Sequence, residues 1–359
     1  MSDATRLAVV IVTYNSAGDV TAALERLQPQ LEAGDEVVVV DNASVDGSAD
    51  VARRAAPDAT VIETGANLGF AAGCNIGAAA TTAAVLLFLN PDAAPAPGSL
   101  AALRRAAEHS TWGAWQPLVT MPGGREINTA GGVVHFLGFG WAGRCGEAVP
   151  AVNTAGPVAF ASGAAFCVRR EAWDALGGFD DSYFMYGEDL DLSLRLWLAG
   201  WEVGIEPSAR VEHHYDFAKG PEKWFLLERN RWRTVLATYP APLLALVMPA
   251  LLAFELAVLP VAAHDGWLGP KLRAQGAVLR DLPRILARRR RTQAARRIDT
   301  LEFAKRLTAT LDSPYIAVPR WARLLAVLQS SFWWAVRRAL AATSAPPGDR
   351  AGGSAAGGR

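Results

Sequence analysis

Leu7-Ala8-Val9-Val10-Ile11-Val12, followed at once by Thr13-Tyr14-Asn15, decides the fold. Six apolar residues in a row, mostly β-branched and without polar alternation, fit a strand buried on both faces of a parallel sheet. A second run at 36–40, Glu-Val-Val-Val-Val, leads into Asp41-Asn42-Ala43-Ser44, and residues 20–31 between the two carry a helical apolar pattern. Runs at 61–63 and 84–89 continue the rhythm. This alternation predicts an α/β, doubly wound start. Ligands of such sheets sit beyond the carboxyl ends of the strands. Three of those ends are polar here, Thr13-Tyr14-Asn15, Asp41-Asn42-Ala43-Ser44 and Asn90-Pro91-Asp92, and one site could collect them.

Further along, residues 117–157 are Gly-rich with interspersed aromatics, which predicts short antiparallel strands and loops. A strand is expected at 160–168, a short helix at 171–176, and a longer helix at 189–199 ended by Gly200. Edge strands at 203–205 and 210–212 and a helix at 226–238 follow. Phe184-Met185-Tyr186-Gly187-Glu188-Asp189-Leu190-Asp191 crowds three carboxylates into four positions at a helix start. One or two would satisfy the helix dipole. A third adds repulsion, which raises a carboxylate's pKa for acid/base work and points to an enzyme.

The formal net charge of zero over 359 residues hides a split. Residues 1–263 carry 17 Lys and Arg against 29 Asp and Glu, whereas residues 264–341 carry 16 against 5. Such asymmetry suggests that the C-terminal part meets an anionic surface, membrane or nucleic acid. The run 271–297 lacks aromatic stacking residues, which disfavours nucleic acid. Cys74, Cys145 and Cys167 are odd in number and widely spaced, so neither a disulfide framework nor a zinc knuckle is expected, and a reducing, cytoplasmic setting fits. The N-terminus shows no signal-peptide pattern.

Residues 239–263 contain Glu255 as their only charge, a length that suits a membrane span. Pro240, Pro242, Pro249 and Pro260 would break or kink a straight helix, and basic groups lie on both sides. The expectation is therefore a segment that enters the membrane face and returns, or lies in its plane. Residues 321–340, with Trp333 and Trp334 between terminal arginines, suit an interfacial helix. The alternative is a helical packing appendage of a soluble protein. Residues 344–359, rich in Ser, Ala, Pro and Gly, read as a disordered tail.

Asn67-Leu68-Gly69-Phe70-Ala71-Ala72-Gly73-Cys74-Asn75-Ile76-Gly77 follows the third strand and opens a helix. Its glycines allow either close approach of a phosphate or base, or a tight turn with small packing residues. Asp92 in Asn90-Pro91-Asp92 is placed to hold a hard divalent cation, or simply to form a turn. His213 or His214, after 210–212, is a second ligand candidate or a strand-edge residue.

As an ordered set, these segments together with Gly177-Gly178-Phe179-Asp180 and Gly187-Glu188-Asp189-Leu190-Asp191-Leu192-Ser193-Leu194-Arg195 resemble the inverting family 2 glycosyltransferases, over roughly residues 6–238. The rhamnosyltransferase-like group that builds bacterial cell-surface glycans is the nearest in character. The resemblance implies a glycosyltransferase-A type nucleotide-binding domain with a mixed central sheet over 1–238. A helical, basic, membrane-associating region would then occupy 239–343. It implies Thr13, Asn15 and Asp41 at the base and ribose, and Asn67, Gly69 and Asn75 around the nucleotide-sugar. Asn90 stands where the family's Asp-x-Asp motif begins with Asp, and Asp92 with His213, or its rival His214, would hold Mn2+ or Mg2+. Asp189 would be the catalytic base, with Glu188 the second choice, and Arg229 would pair with diphosphate unless it is a helix-surface residue. The implied donor is a dTDP- or UDP-sugar and the acceptor a lipid-linked or other glycan, met at the cytoplasmic face of the plasma membrane. A catalytically silent nucleotide-binding membrane scaffold is the competing reading, and the missing carboxylate at Asn90 is its support.

Overall fold

The computed structural model describes residues 6–214, 222–311 and 322–344. The first strand, β1 (Leu7–Thr13), is buried along its whole length, as its unbroken apolar run requires. Its helix α1 (Ala17–Leu27) leads to β2 (Glu36–Asp41), and α2 (Ser48–Ala55) leads to β3 (Thr60–Glu63). After α3 (Phe70–Ala79) come β4 (Val85–Leu89), the short β5 (Ala93–Pro95), α4 (Ser99–His109) and β6 (Trp112–Thr120). β1 pairs in parallel with β2 and β4, and β2 with β3. β3 is only half-buried because it forms the edge.

The Gly-rich region forms β7 (Ile127–Thr129), β8 (Gly132–His135), β9 (Gly140–Ala142) and β10 (Gly156–Pro157), short strands as expected. Next come β11 (Ala165–Arg169), α5 (Arg170–Leu176), α6 (Glu188–Leu198) and β12 (Glu202–His213). The main sheet runs β10-β12-β6-β11-β4-β1-β2-β3, mixed in direction, with β11 antiparallel to both β4 and β6. One face buries Val20, Leu24 and Leu27 of α1, Ala52 of α2 and Leu100 and Leu103 of α4. The other buries Cys74 of α3, Trp173 of α5 and Leu192, Leu196 and Trp197 of α6. The result is a three-layer α/β/α domain.

Two expected strands differ. The segment expected at 160–168 is a strand only from Ala165. Before it, the N–H groups of Ala161, Ser162 and Gly163 are taken by the side chains of Ser193, Gln116 and Asp189, so no neighbouring strand receives them. The two edge strands at 203–205 and 210–212 are one interior strand, β12, which pairs with β6 across a bulge between Glu206 and Arg210. Small residues along α3 have a packing role. A β-carbon on Gly77 would run into Val10, so glycine there lets the helix lie close on β1.

Among the described residues, five further helices follow β12 and α7 (Glu222–Thr238): α8 (Ala241–His264), α9 (Leu268–Arg280), α10 (Leu282–Ala294), α11 (Thr300–Ala304) and α12 (Ala322–Ser344). A short β13 (Leu307–Thr308) adds to β8, so a three-stranded sheet, β13-β8-β9, joins this region to the first. α8 is one continuous helix, neither broken nor re-entrant. Pro240 is its cap and Pro242 lies in its first turn, where no N–H is needed. Pro249 and Pro260 sit inside it, both on its exposed side. Leu243, Val247, Leu251, Glu255 and Ala262 form a buried stripe along its length, and the opposite side is apolar and exposed. Arg320, Trp321 and the expected tail beyond Ser344 lie outside the described residues.

Candidate active site

The strand ends, the loop before α6 and helices α7 to α9 together enclose a cavity of about 880 Å³. Among the expected site residues, Asn15, Asn67, Gly69, Asn90, Asp92, Glu188, Asp189 and His213 line it. Thr13, Asp41, Asn75 and Arg229 do not.

The last four hold the wall from behind. Asp41 accepts from the Thr13 hydroxyl (2.8 Å) and from the Ser44 N–H (2.9 Å), which shapes the turn after β2. That turn presents Asn42, whose amide donates to the Gly69 carbonyl (3.0 Å) and lines the cavity. Asn75 bonds both backbone groups of Phe179 and the Asp181 carboxylate, tying α3 to the loop before α6. Arg229 donates to the carbonyls of Ser182 and Tyr183. Burial and the neighbouring Arg233 lower its pKa to about 10.

That loop is strained, and its strain is supported. Phe184 has φ 64° and ψ −63°, and the Met185 N–H donates to the Tyr183 carbonyl at 2.7 Å, a γ-turn of the rare positive-φ kind. Tyr186 and Gly187 also have positive φ. Asn230, buried on α7, donates to the carbonyls of Tyr183, Met185 and Tyr186 at 3.1, 2.9 and 2.7 Å. Strain persists only where the surroundings over-determine it, and such places cluster at functional sites. Gly69 is part of the same joint: its φ is +87°, and a β-carbon there would stand 2.5 Å from the Phe184 carbonyl oxygen.

The three carboxylates of the motif have three environments. Asp191 is fully buried and receives Tyr183 Oη (3.1 Å), Arg195 Nε (2.8 Å) and Arg288 of α10. Burial alone would raise its pKa, but Arg288 and Arg195 overcome this and hold it below the usual range. It is an ionic clamp to the C-terminal helices, not merely a helix-start residue. Glu188 is buried, and its Oε2 has no hydrogen-bond partner among the described residues. Burial first, then the neighbouring Asp189, push it well above the usual range. Asp189 is half-buried. Burial raises its pKa too, while the N–H groups of Gly163 (2.8 Å) and Leu190 (2.7 Å) stabilise its charged form.

The cation candidates meet because of strand register. β5 pairs antiparallel with β12 so that Ala93 faces His213. This sets Asp92 Oδ1 3.2 Å from His213 Nε2, with the Asn90 amide 3.4 Å from the same nitrogen. Two ligands about 2.1 Å from one octahedral cation stand roughly 3 Å apart, so the pair fits a divalent ion whose other ligands come from water and phosphate. No group of three or more His, Cys, Asp or Glu suited to a metal occurs among the described residues. His214 also lines the cavity, but its ring is mostly exposed and bonds Glu212 at 2.9 Å.

Asn42 and Asn230 carry more of the site than their place in the sequence suggests. Gly163 contributes through its backbone N–H, which no side-chain pattern announces.

The chain belongs to glycosyltransferase family 2: residues 8–177 match the model described as "Glycosyl transferase family 2". Over 243 residues it is 35% identical to the N-acetylglucosaminyl-diphospho-decaprenol L-rhamnosyltransferase of Mycobacterium tuberculosis, an alignment spanning 60% of this chain and 78% of the relative. It is therefore a glycosyltransferase. Two solved structures share the fold at 19% identity each. One is GalNAc-T7 with UDP, GalNAc and Mn2+, with a TM-score of 0.53 over 67% of this chain and 49% of that one, so the chain spans about half its length. The other is the mannosyltransferase PcManGT of Pyrobaculum calidifontis with GDP-Man and Mn2+, with a TM-score of 0.50 over 95% and 88%.

Proposed function

We propose that this glycosyltransferase moves a sugar, with inversion, from a nucleotide-diphospho-sugar to a hydroxyl of a lipid-linked glycan acceptor. Asp189 is the base. The observation that carries this reading is the half-buried Asp189 carboxylate, fixed by two backbone N–H groups, in one cavity with the Asp92–His213 pair.

Of the two neighbouring acids, burial and the charge of Asp189 push Glu188 well above the usual range, whereas the Gly163 and Leu190 N–H groups oppose the effect of burial at Asp189 and favour its charged form, which suits Asp189 as the base. The acceptor hydroxyl gives its proton to Asp189 while its oxygen bonds to the anomeric carbon. The bond from that carbon to the diphosphate oxygen breaks, and the electron pair leaves on the nucleoside diphosphate. Asn15, Asn42 and Asn67 offer uncharged hydrogen-bonding groups to the nucleotide. Bound Mn2+ or Mg2+, held by Asp92 and His213, would offset charge on the leaving diphosphate. The relative's name, which gives a sugar on a diphospho-decaprenol as acceptor, supports a lipid-diphosphate acceptor, and a role in building a cell-surface polysaccharide is part of this reading. The donor in this reading is a dTDP- or UDP-sugar.

We also place the protein on the inner membrane surface with α8 in its plane. α8 is the single helix among the described residues long and apolar enough to cross a bilayer. Yet it packs along its length on the protein, and its Glu255 is held by Arg231 and Lys271. Crossing would draw those partners into hydrocarbon, at a cost of several kcal/mol. Lying flat exposes only its apolar side to lipid.

The test is transfer by the purified protein from a panel of dTDP-, UDP- and GDP-sugars to a polyprenyl-diphosphate sugar, with and without Mn2+. Turnover should stop on chelation and return with Mn2+, and His213→Ala should raise the Mn2+ requirement about tenfold or more. Turnover that survives chelation would remove the Asp92–His213 pair from the account.

A further inference from the structure

The cavity has a second wall that the nucleotide does not need. Phe139, Trp224 and Leu227, with Phe254 and Val258 of α8 and Trp267, line its far side. Phe139 and Phe254 meet edge to face with ring centres 5.1 Å apart, and Trp224 stacks on Trp267 at 5.5 Å. The cations in this wall are compensated. Arg231 and Lys271 are both paired with Glu228 and Glu255, two positive groups against two negative ones. An anion finds no surplus charge there, and an apolar ligand finds aromatic and aliphatic surface.

Two further observations say which apolar ligand. The wall is continuous with the catalytic groups: Leu190, next to Asp189, and Phe160 both crowd the face of Gly140 on this side of the cavity. It is also continuous with the outside, because Trp224 and Leu227 of α7, which line it, are 51% and 38% exposed. A ligand whose reactive head sits at Asp189 therefore has an apolar path past Phe254 and Val258 to the exposed aromatic and aliphatic surface of α7. The cavity lies near the top of the ~300–1,000 Å³ range of small-molecule sites, which leaves room beside a donor.

We propose that this wall, formed by α7, α8 and the start of α9, holds the first isoprene units of the acceptor's lipid chain, so that the enzyme selects the lipid as well as the sugar. The inference rests on the lipid-linked acceptor proposed above. The experiment is isothermal calorimetry of the intact protein with farnesyl diphosphate and with isopentenyl diphosphate, which share the head group and differ in chain length. Farnesyl diphosphate should bind at least tenfold more tightly. Val258→Asp, which puts a charge in the wall, should weaken it tenfold or more. Trp224→Ala, at the half-exposed mouth, should weaken it severalfold and guards against a folding defect in the first variant. UDP binding with Mn2+ reports folding of both.

Equal affinity for the two diphosphates, or farnesyl diphosphate binding unchanged in both variants, would overturn the proposal. If farnesyl diphosphate behaves as expected but no lipid-linked sugar is ever glycosylated, the acceptor reading fails and the apolar site stands. If lipid-linked sugars are glycosylated and farnesyl diphosphate shows no preference, the site fails and the acceptor reading stands.

Discussion

Replacing Arg288 with Met should loosen the catalytic motif from a helix nearly one hundred residues away in sequence. Arg288 is on α10, almost buried. It bonds Asp191, fully buried, and Asp180 through Nε at 2.8 Å, and it lies over the Tyr183 ring at 5.4 Å. Breaking a buried pair by removing one partner costs about 3–5 kcal/mol, because the other charge stays buried. Asp191 keeps Arg195 at 2.8 Å, which favours the lower end, about 3 kcal/mol. For a chain of this size that is a fall in Tm of roughly 4 °C. Urea unfolding followed by tryptophan fluorescence, for R288M, D191N and the double variant, measures both the loss and the coupling. The double variant should recover about 1–3 kcal/mol relative to the sum of the single losses. A loss for R288M within about 0.5 kcal/mol, as for a surface pair, would refute the reasoning. It would leave Arg288 as a solvated cation, available to lipid headgroups.

Other outcomes follow from the same structure. His135 accepts the Leu137 N–H at Nδ1 (3.2 Å) and faces the Ala309 carbonyl at Nε2 (3.1 Å), the pattern of a neutral ring. Burial lowers its pKa to about 4, against some opposition from the Ala309 bond. The unfolded chain takes a proton below about pH 6.5 and the folded chain does not, so stability is full above 6.5 and falls as pH drops towards 4, by up to about 3 kcal/mol. His135→Gln should flatten that part of the urea-stability profile, and a profile of unchanged slope would contradict it. On the membrane, Leu256→Asp should weaken binding to anionic vesicles about tenfold, and alkaline carbonate should release the wild-type protein. Retention after carbonate would point to a spanning helix instead.

The unbroken apolar runs of β1, β2 and β4 were legible because burial on both faces leaves little room for polar residues. The carboxylate cluster at 188–191 was legible as chemistry, but its division of labour was not. Asp191 is distinguished from Asp189 by Arg288, which arrives from α10, and no local pattern reports a partner that distant. The same reason hides β12. Its two halves looked like edges because Pro207 and the polar residues around it interrupt the run, whereas a bulge carries the strand past them into the sheet interior. In α8 the prolines read as breaks, but two fall at the helix start and two on the exposed side. The basic run at 271–297 read as a lipid contact. Lys271, Arg288 and Arg289 are instead engaged in folding, with carboxylates or with the carbonyls of Leu236 and Tyr239. Arg280 and Arg284, largely exposed, remain on the surface.

The most direct measurement is a comparison of Asp189→Asn with the wild type, reading donor binding by calorimetry and sugar transfer by product formation in the same preparation. Asparagine keeps an oxygen for the Gly163 N–H, so the loop and the donor site should stay in place. The account predicts nucleotide-sugar affinity within about twofold of wild type and a kcat reduced about 10²–10⁴-fold, the usual contribution of a positioned base. Transfer at a wild-type rate by Asp189→Asn, with the donor bound equally well, would contradict it.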